Sequence, residues 1–84
     1  MISLATPDFW DCYYALPDNI RRRADEAYAL WLENPHYPSL QFMRKGPYWS
    51  VRVNDDYRAL AKMDGDTVTR FFIGTHAKYM RMLK

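Results

Sequence analysis

The sequence predicts an α+β fold: two N-terminal helices, a mainly antiparallel sheet of four or five strands, and a short closing helical segment. Three observations predict it. Apolar residues recur at helical spacing, behind capping residues, over the first third of the 84-residue chain. Beyond residue 40 the pattern changes to strands; Trp49, Val51 and Val53 alternate with Ser50 and Arg52 as in a half-buried sheet. Finally, Asp64-Gly65 separates two runs rich in aromatic and branched residues. That is a hairpin signal, because the tight turn needs a positive φ that Gly65 adopts without steric cost.

Element by element, Ile2-Ser3-Leu4-Ala5 is compatible with a short edge strand, although four residues show no period. Thr6 then caps a helix with Pro7 at its first position and Asp8 at the positive end of the dipole, and Phe9, Cys12, Tyr13 and Leu16 form its stripe. Pro17 disfavours helix at Leu16, and Asp18 is placed to cap a second helix with the stripe Ile20, Ala24, Ala27, Tyr28 and Trp31. On its outer face Arg21 and Asp25 stand four apart, the spacing of a helical ion pair. Pro35 and Pro38 end that helix. Strands are expected over Leu40 to Arg44, Trp49 to Val53, Tyr57 to Met63 and Thr67 to Ile73, joined by turns too short for crossovers. Strict alternation in the last hairpin puts Arg58, Leu60, Phe71 and Ile73 on one face and Tyr57, Ala59, Ala61, Val68 and Phe72 on the other. Both faces then need cover, and His76 to Lys84 is expected to fold back over one of them.

A chain this short supports one core, so residues 1–84 are read as a single domain. Aromatic residues make up 17% of the chain and supply the buried area that a small core needs. Cys12, the only cysteine, has no partner and sits on the first apolar stripe, so it reads as a small core residue. No apolar run approaches the roughly 20 residues that span a bilayer, and no membrane partner is expected. A cytoplasmic location is the default. The two histidines have no metal-ligand spacing, so neither a metal nor another cofactor is expected.

Net charge is only +2, too little for binding nucleic acid by charge alone. Its distribution is more informative. From residue 40 onward nine Lys or Arg face four Asp, a local charge of about +5, which suits an acidic peptide or a phosphate backbone equally. The Arg21-Arg22-Arg23 run reads as a solvated helix face, and Trp31 and Trp49 as core positions; Trp10 falls off its stripe. From the residues alone, Arg58 could pair with Asp55 or Asp56 across a turn, an exposed ion pair of little energetic weight.

Taken in order, several words of the sequence resemble the RelE/ParE superfamily of bacterial type II toxins. They are Phe9-Trp10 with Tyr13 and Leu16-Pro17, Asn34-Pro35 with Pro38-Ser39-Leu40, Ser50-Val51-Arg52-Val53, Tyr57-Arg58-Ala59-Leu60, Gly65-Asp66, and Phe71-Phe72-Ile73-Gly74-Thr75-His76 with Tyr79. The resemblance runs nearly end to end. It implies two helices packed on one face of a twisted sheet, with a concave opposite face used for function.

Members similar to RelE cut messenger RNA on the ribosome without metal, the RNA's own 2′-hydroxyl attacking the adjacent phosphate. The resemblance therefore implies catalytic roles for Arg58 as phosphate stabiliser and for His76 and Tyr79 as acid or base, with Lys45, Arg52 and Arg81 as RNA or phosphate contacts. It also implies a cognate antitoxin with an acidic amphipathic segment. Other members of the superfamily inhibit DNA gyrase by binding, and some are weakly toxic and act only through their antitoxin. Two departures from the pattern stand out: Met80 follows Tyr79 where an aspartate is usual, and Arg70 replaces an aromatic. No glutamate occurs after Glu33, so a strand glutamate is not available as a general base.

Overall fold

A computed structural model describes the whole chain, Met1–Lys84. In order, the elements are β1 (Ile2–Ala5), α1 (Pro7–Tyr14), α2 (Asp18–Glu33), a 3₁₀ turn (Pro38–Leu40), β2 (Met43–Lys45), β3 (Tyr48–Arg52), β4 (Tyr57–Asp64), β5 (Thr67–Thr75) and α3 (His76–Met82). The strands form one five-stranded sheet in the order β1-β5-β4-β3-β2. Neighbours are antiparallel except β1, which lies parallel to β5 from the pair Ile2 and Thr67 to the pair Ala5 and Arg70. The expected edge strand and meander are both present. No helix is long and apolar enough to cross a membrane.

Local chemistry explains where the helices begin and end. Thr6 accepts a hydrogen bond from Phe9 N at 3.1 Å, and Pro7 opens α1. Asp18 does not cap α2, contrary to expectation: Pro17 holds the cap position, and the Asp18 carboxylate pairs with Arg21 one turn along. Nor do Arg21 and Asp25 pair. Arg21 reaches back to the carbonyls of Leu16 (3.1 Å) and Tyr14 (3.3 Å), closing the end of α1. Asp25 instead accepts a hydrogen bond from the Tyr13 hydroxyl at 2.7 Å, tying the two helices together. That bond, with some burial, raises the Tyr13 pKa, because ionising the phenol would set it against a carboxylate.

The strand expected over Leu40 to Arg44 begins only at Met43. Pro38 opens a 3₁₀ turn in which Leu40 N bonds to Tyr37 O at 3.0 Å, and Gln41 then turns left-handed with φ 44°. Leu40 is thereby driven into the core instead of lying along an edge.

Two core layers flank the sheet. On one side Phe9 and Leu16 with Ile20 and Ala24 of α2 pack on Val53 and Ile73, and Ala27 and Trp31 pack with Leu40, Ala61 and Val68. On the other side α3 lays Tyr79 over Leu60 and Phe72, so the C-terminal segment does fold back as cover. Strict alternation in the last hairpin fails at one point. Leu60 pairs with Phe72 but Ala61 pairs with Arg70, leaving Phe71 as an extra residue in a β-bulge. The phase of β5 shifts there. Phe72 joins Leu60 on the α3 side, and Ile73 joins Ala59 on the side of α1 and α2, the reverse of the expected assignment. Gly74 makes room for this packing, since a Cβ there would lie 2.8 Å from the Phe72 ring.

The Asp64-Gly65 turn forms as expected. Asp64 pairs with Thr67 around Gly65 and Asp66, and Gly65 has φ 57° while Asp66 does not enter the positive region, as in a type II′ turn. Gly65→Val is therefore expected to cost more than about 1 kcal/mol, because a β-branched residue is forced to positive φ. Urea melts of the two proteins would measure it; equal midpoints and slopes would contradict the turn assignment.

Candidate active site

The face of the sheet that carries α3 also carries a cleft, and its chemistry follows from strand parity. Ser50 pairs with Leu60 and Arg52 with Arg58 across β3 and β4, so these side chains emerge on one face. The end of β5 delivers His76 to the same rim as the first residue of α3, where Thr75 caps the helix by accepting from Lys78 N at 3.3 Å. His76 N donates to Asp56 O at 2.8 Å, which pins the start of α3 to the turn between β3 and β4. β2 contributes the other wall. The cleft encloses about 390 Å³, and among its lining are Lys45, Arg52, Arg58, His76, Tyr79 and Ser50.

Five of the six candidate residues thus converge, and Arg81 does not line the cleft. It lies exposed on α3, five residues beyond His76 and so about 140° further round the helix. Sequence reasoning missed Gln41, Met43, Met80 and Leu83 at the rim. Ser50 could have been found, since it alternates with Trp49 and Val51 on the same face as Arg52.

Each polar group is held differently. The half-buried Arg58 makes no ion pair; its Nη1 donates to the carbonyl oxygens of Asn54 and Tyr57, the latter at 3.0 Å. One guanidinium nitrogen is thereby anchored on backbone, while Nε and Nη2 have no protein acceptor. Tyr79 is only 4% exposed, and its phenolic oxygen accepts a hydrogen bond of 2.9 Å from Ser50 Oγ. The His76 ring stands 5.4 Å from the Tyr79 ring, centroid to centroid. No carboxylate lines the cleft, so every fully charged side chain facing it is cationic.

Asp55 is the carboxylate that pairs with a cation of the cleft. It sits fully exposed on the β3–β4 turn and pairs with Arg52. The hydrogen bond from Arg52, its charge, and more weakly that of Arg58 hold the Asp55 carboxyl below the usual carboxylate range. The pair therefore persists above the ordinary carboxylate pKa and is lost as pH falls through the lowered value. Asp55→Asn would free Arg52 for an anion. It is expected to tighten binding of a labelled polyanionic probe roughly twofold to fivefold, in line with the modest strength of exposed pairs. Fluorescence anisotropy would check this, and weaker binding would show that Asp55 helps to hold the site.

Comparison with known proteins agrees with this architecture. A family model described as the ParE-like toxin domain matches residues 18–81. The structure is similar to that of YafQ from E. coli strain BL21(DE3), with a TM-score of 0.71, 13% identity, and 92% of this chain and 94% of that one covered. It is also similar to a chain of the RelB-RelE antitoxin-toxin complex from Methanococcus jannaschii, with a TM-score of 0.69, 19% identity, and coverage of 96% and 99%. A YoeB/ParE toxin from Agrobacterium tumefaciens aligns with a TM-score of 0.67 and 15% identity over 90% of this chain and 99% of that one. No curated protein sequence matches the chain. At these identities the structures speak for the fold, and the family match carries the identity: the chain belongs to the ParE-like toxin domain family.

Proposed function

We propose that this toxin is a ribosome-dependent messenger-RNA endonuclease in which the RNA's 2′-hydroxyl is the nucleophile. The observation that carries the reading is the cleft itself: three cationic side chains and an imidazole converge on a concave face with no opposing carboxylate. The 2′ oxygen attacks phosphorus as its proton passes to His76, and the bond from phosphorus to the 5′ oxygen breaks as that oxygen takes a proton from Tyr79. The products are a 2′,3′-cyclic phosphate and a 5′-hydroxyl. Because Ser50 donates to the Tyr79 oxygen, the phenol's own proton is free for transfer and the resulting phenolate would be stabilised. Arg58, preorganised on two carbonyls, stabilises the charge that builds on the phosphoryl oxygens. Lys45 and Arg52 hold the flanking backbone.

An acidic antitoxin segment would neutralise the toxin by covering the same cations. A complex that leaves Arg58 open to RNA would contradict that. The ParE-like description of the family supports a second reading, inhibition of DNA gyrase by binding without RNA chemistry. A message carrying one 2′-deoxy nucleotide at the scissile position, presented on purified ribosomes, separates the two. The nuclease reading expects cleavage at that site to vanish while neighbouring sites are still cut, and continued cleavage there would reject the 2′-hydroxyl mechanism.

A further inference from the structure

A second cavity, of about 140 Å³, lies between α2 and the opposite face of the sheet and shares no lining residue with the cleft. Small side chains create it. Ala24 and Ala27 of α2 face Ala59 and Ala61 of β4, and methyl groups on both walls leave space that the surrounding rings do not fill.

Two hydrogen-bond donors at this cavity have no acceptor. One is the Trp31 indole N–H, on a residue only 6% exposed, and the other is Arg70 Nε–H. Native interiors rarely leave such groups unpaired. The Arg70 guanidinium lies 4.0 Å from the Tyr28 ring centroid and 4.7 Å from that of Phe9, and no carboxylate pairs with it. Burial accordingly lowers its pKa. The Tyr28 ring also stacks on Trp31, so both residues with orphan donors neighbour one aromatic ring. Asp25, the one carboxylate in the lining, is exposed and already accepts from the Tyr13 hydroxyl.

A half-buried cation within aromatic rings, an unpaired indole N–H and an alanine-walled space together describe a receptor for an apolar anion. We propose that this cavity binds a compact aromatic or short-chain carboxylate, its apolar body against the alanines beside Trp31 and its carboxylate accepting from Arg70. The volume suits a single ring, since cavities of about 150 Å³ accommodate benzene. A charged acceptor would pair the Arg70 donor, and charge-assisted bonds to arginine are the stronger kind. Because the site lies across the sheet from Arg58, occupancy would stabilise the toxin without competing with RNA.

Benzoate titrated into nitrogen-15-labelled protein, with benzene as the neutral isostere, tests this. Benzoate at millimolar concentration is expected to shift the Trp31 indole N–H resonance saturably and to raise Tm, with benzene at least about tenfold weaker, the difference a single charge-assisted contact supplies. Ala27→Leu should abolish binding by filling the space, and Arg70→Met should erase the preference for benzoate. An unshifted indole resonance, equal affinity for both probes, or binding that survives in Ala27→Leu would overturn the assignment. The wild-type titration decides by itself if either variant does not fold.

Discussion

Arg58→Ala is expected to reduce message cleavage by at least about 10²–10³-fold, the loss typical when one preorganised donor to a developing oxyanion is removed. The reasoning rests on how Arg58 is held. Its Nη1 is fixed on the Asn54 and Tyr57 carbonyls and its other nitrogens have no protein acceptor, so this cleft-lining guanidinium has little reorganisation left to do. Arg58→Lys restores the charge without the planar fork and is expected to recover only part of the activity. Folding should change little, because Arg58 belongs to none of the apolar clusters. Single-turnover cleavage of a ribosome-bound message, with a melt on the same sample, would measure both quantities. Unchanged cleavage in folded Arg58→Ala would remove Arg58 from the active site.

Trp31→Ala should have the largest effect on stability, about 3–5 kcal/mol. Trp31 is 6% exposed, stacks on Tyr28 with ring centroids 6.1 Å apart, and meets Phe42 edge-on at 5.7 Å. Its unpaired indole N–H works the other way, since deleting the ring also deletes a buried donor without an acceptor, and the lower half of that range is expected. For a domain with about 0.05–0.15 kcal/mol of stability per residue, such a loss is a large share of the total. Guanidinium unfolding would reveal it. A cost below about 1 kcal/mol would mean that the cavity beside Trp31 collapses around the truncated side chain.

Elements fixed by local chemistry were legible in the sequence. The Thr6-Pro7 start of α1, the stripe of α2 and the turn at Gly65 each depend on residues within a few positions, and each formed. What failed depended on distant partners. Asp25 had a matching Arg21 four residues away, yet Tyr13 of another helix took it. The bulge at Phe71 reversed Phe72 and Ile73, because alternation carries no information about an inserted residue and only packing against Tyr79 and Leu60 makes it visible. The same parity, undisturbed in β3 and β4, kept Ser50 with Arg52 and Arg58 with Leu60 as expected, and the register between the strands then set all four on one face. Arg81 fell outside the cleft because its place depends on the phase of α3, which nothing in the short segment from His76 defines. Arg70, read only as an interruption of an apolar strand, proved to be a cation enclosed by aromatic rings.

The nuclease assignment is tested most directly by mapping 5′ ends on translated messages after the wild-type chain is expressed, alongside plasmid supercoiling in the same cells. New 5′ ends confined to translated regions, absent with Arg58→Ala and accompanied by unchanged supercoiling, are the expected result. Growth arrest with lost supercoiling and no new RNA ends would contradict it and identify gyrase as the target.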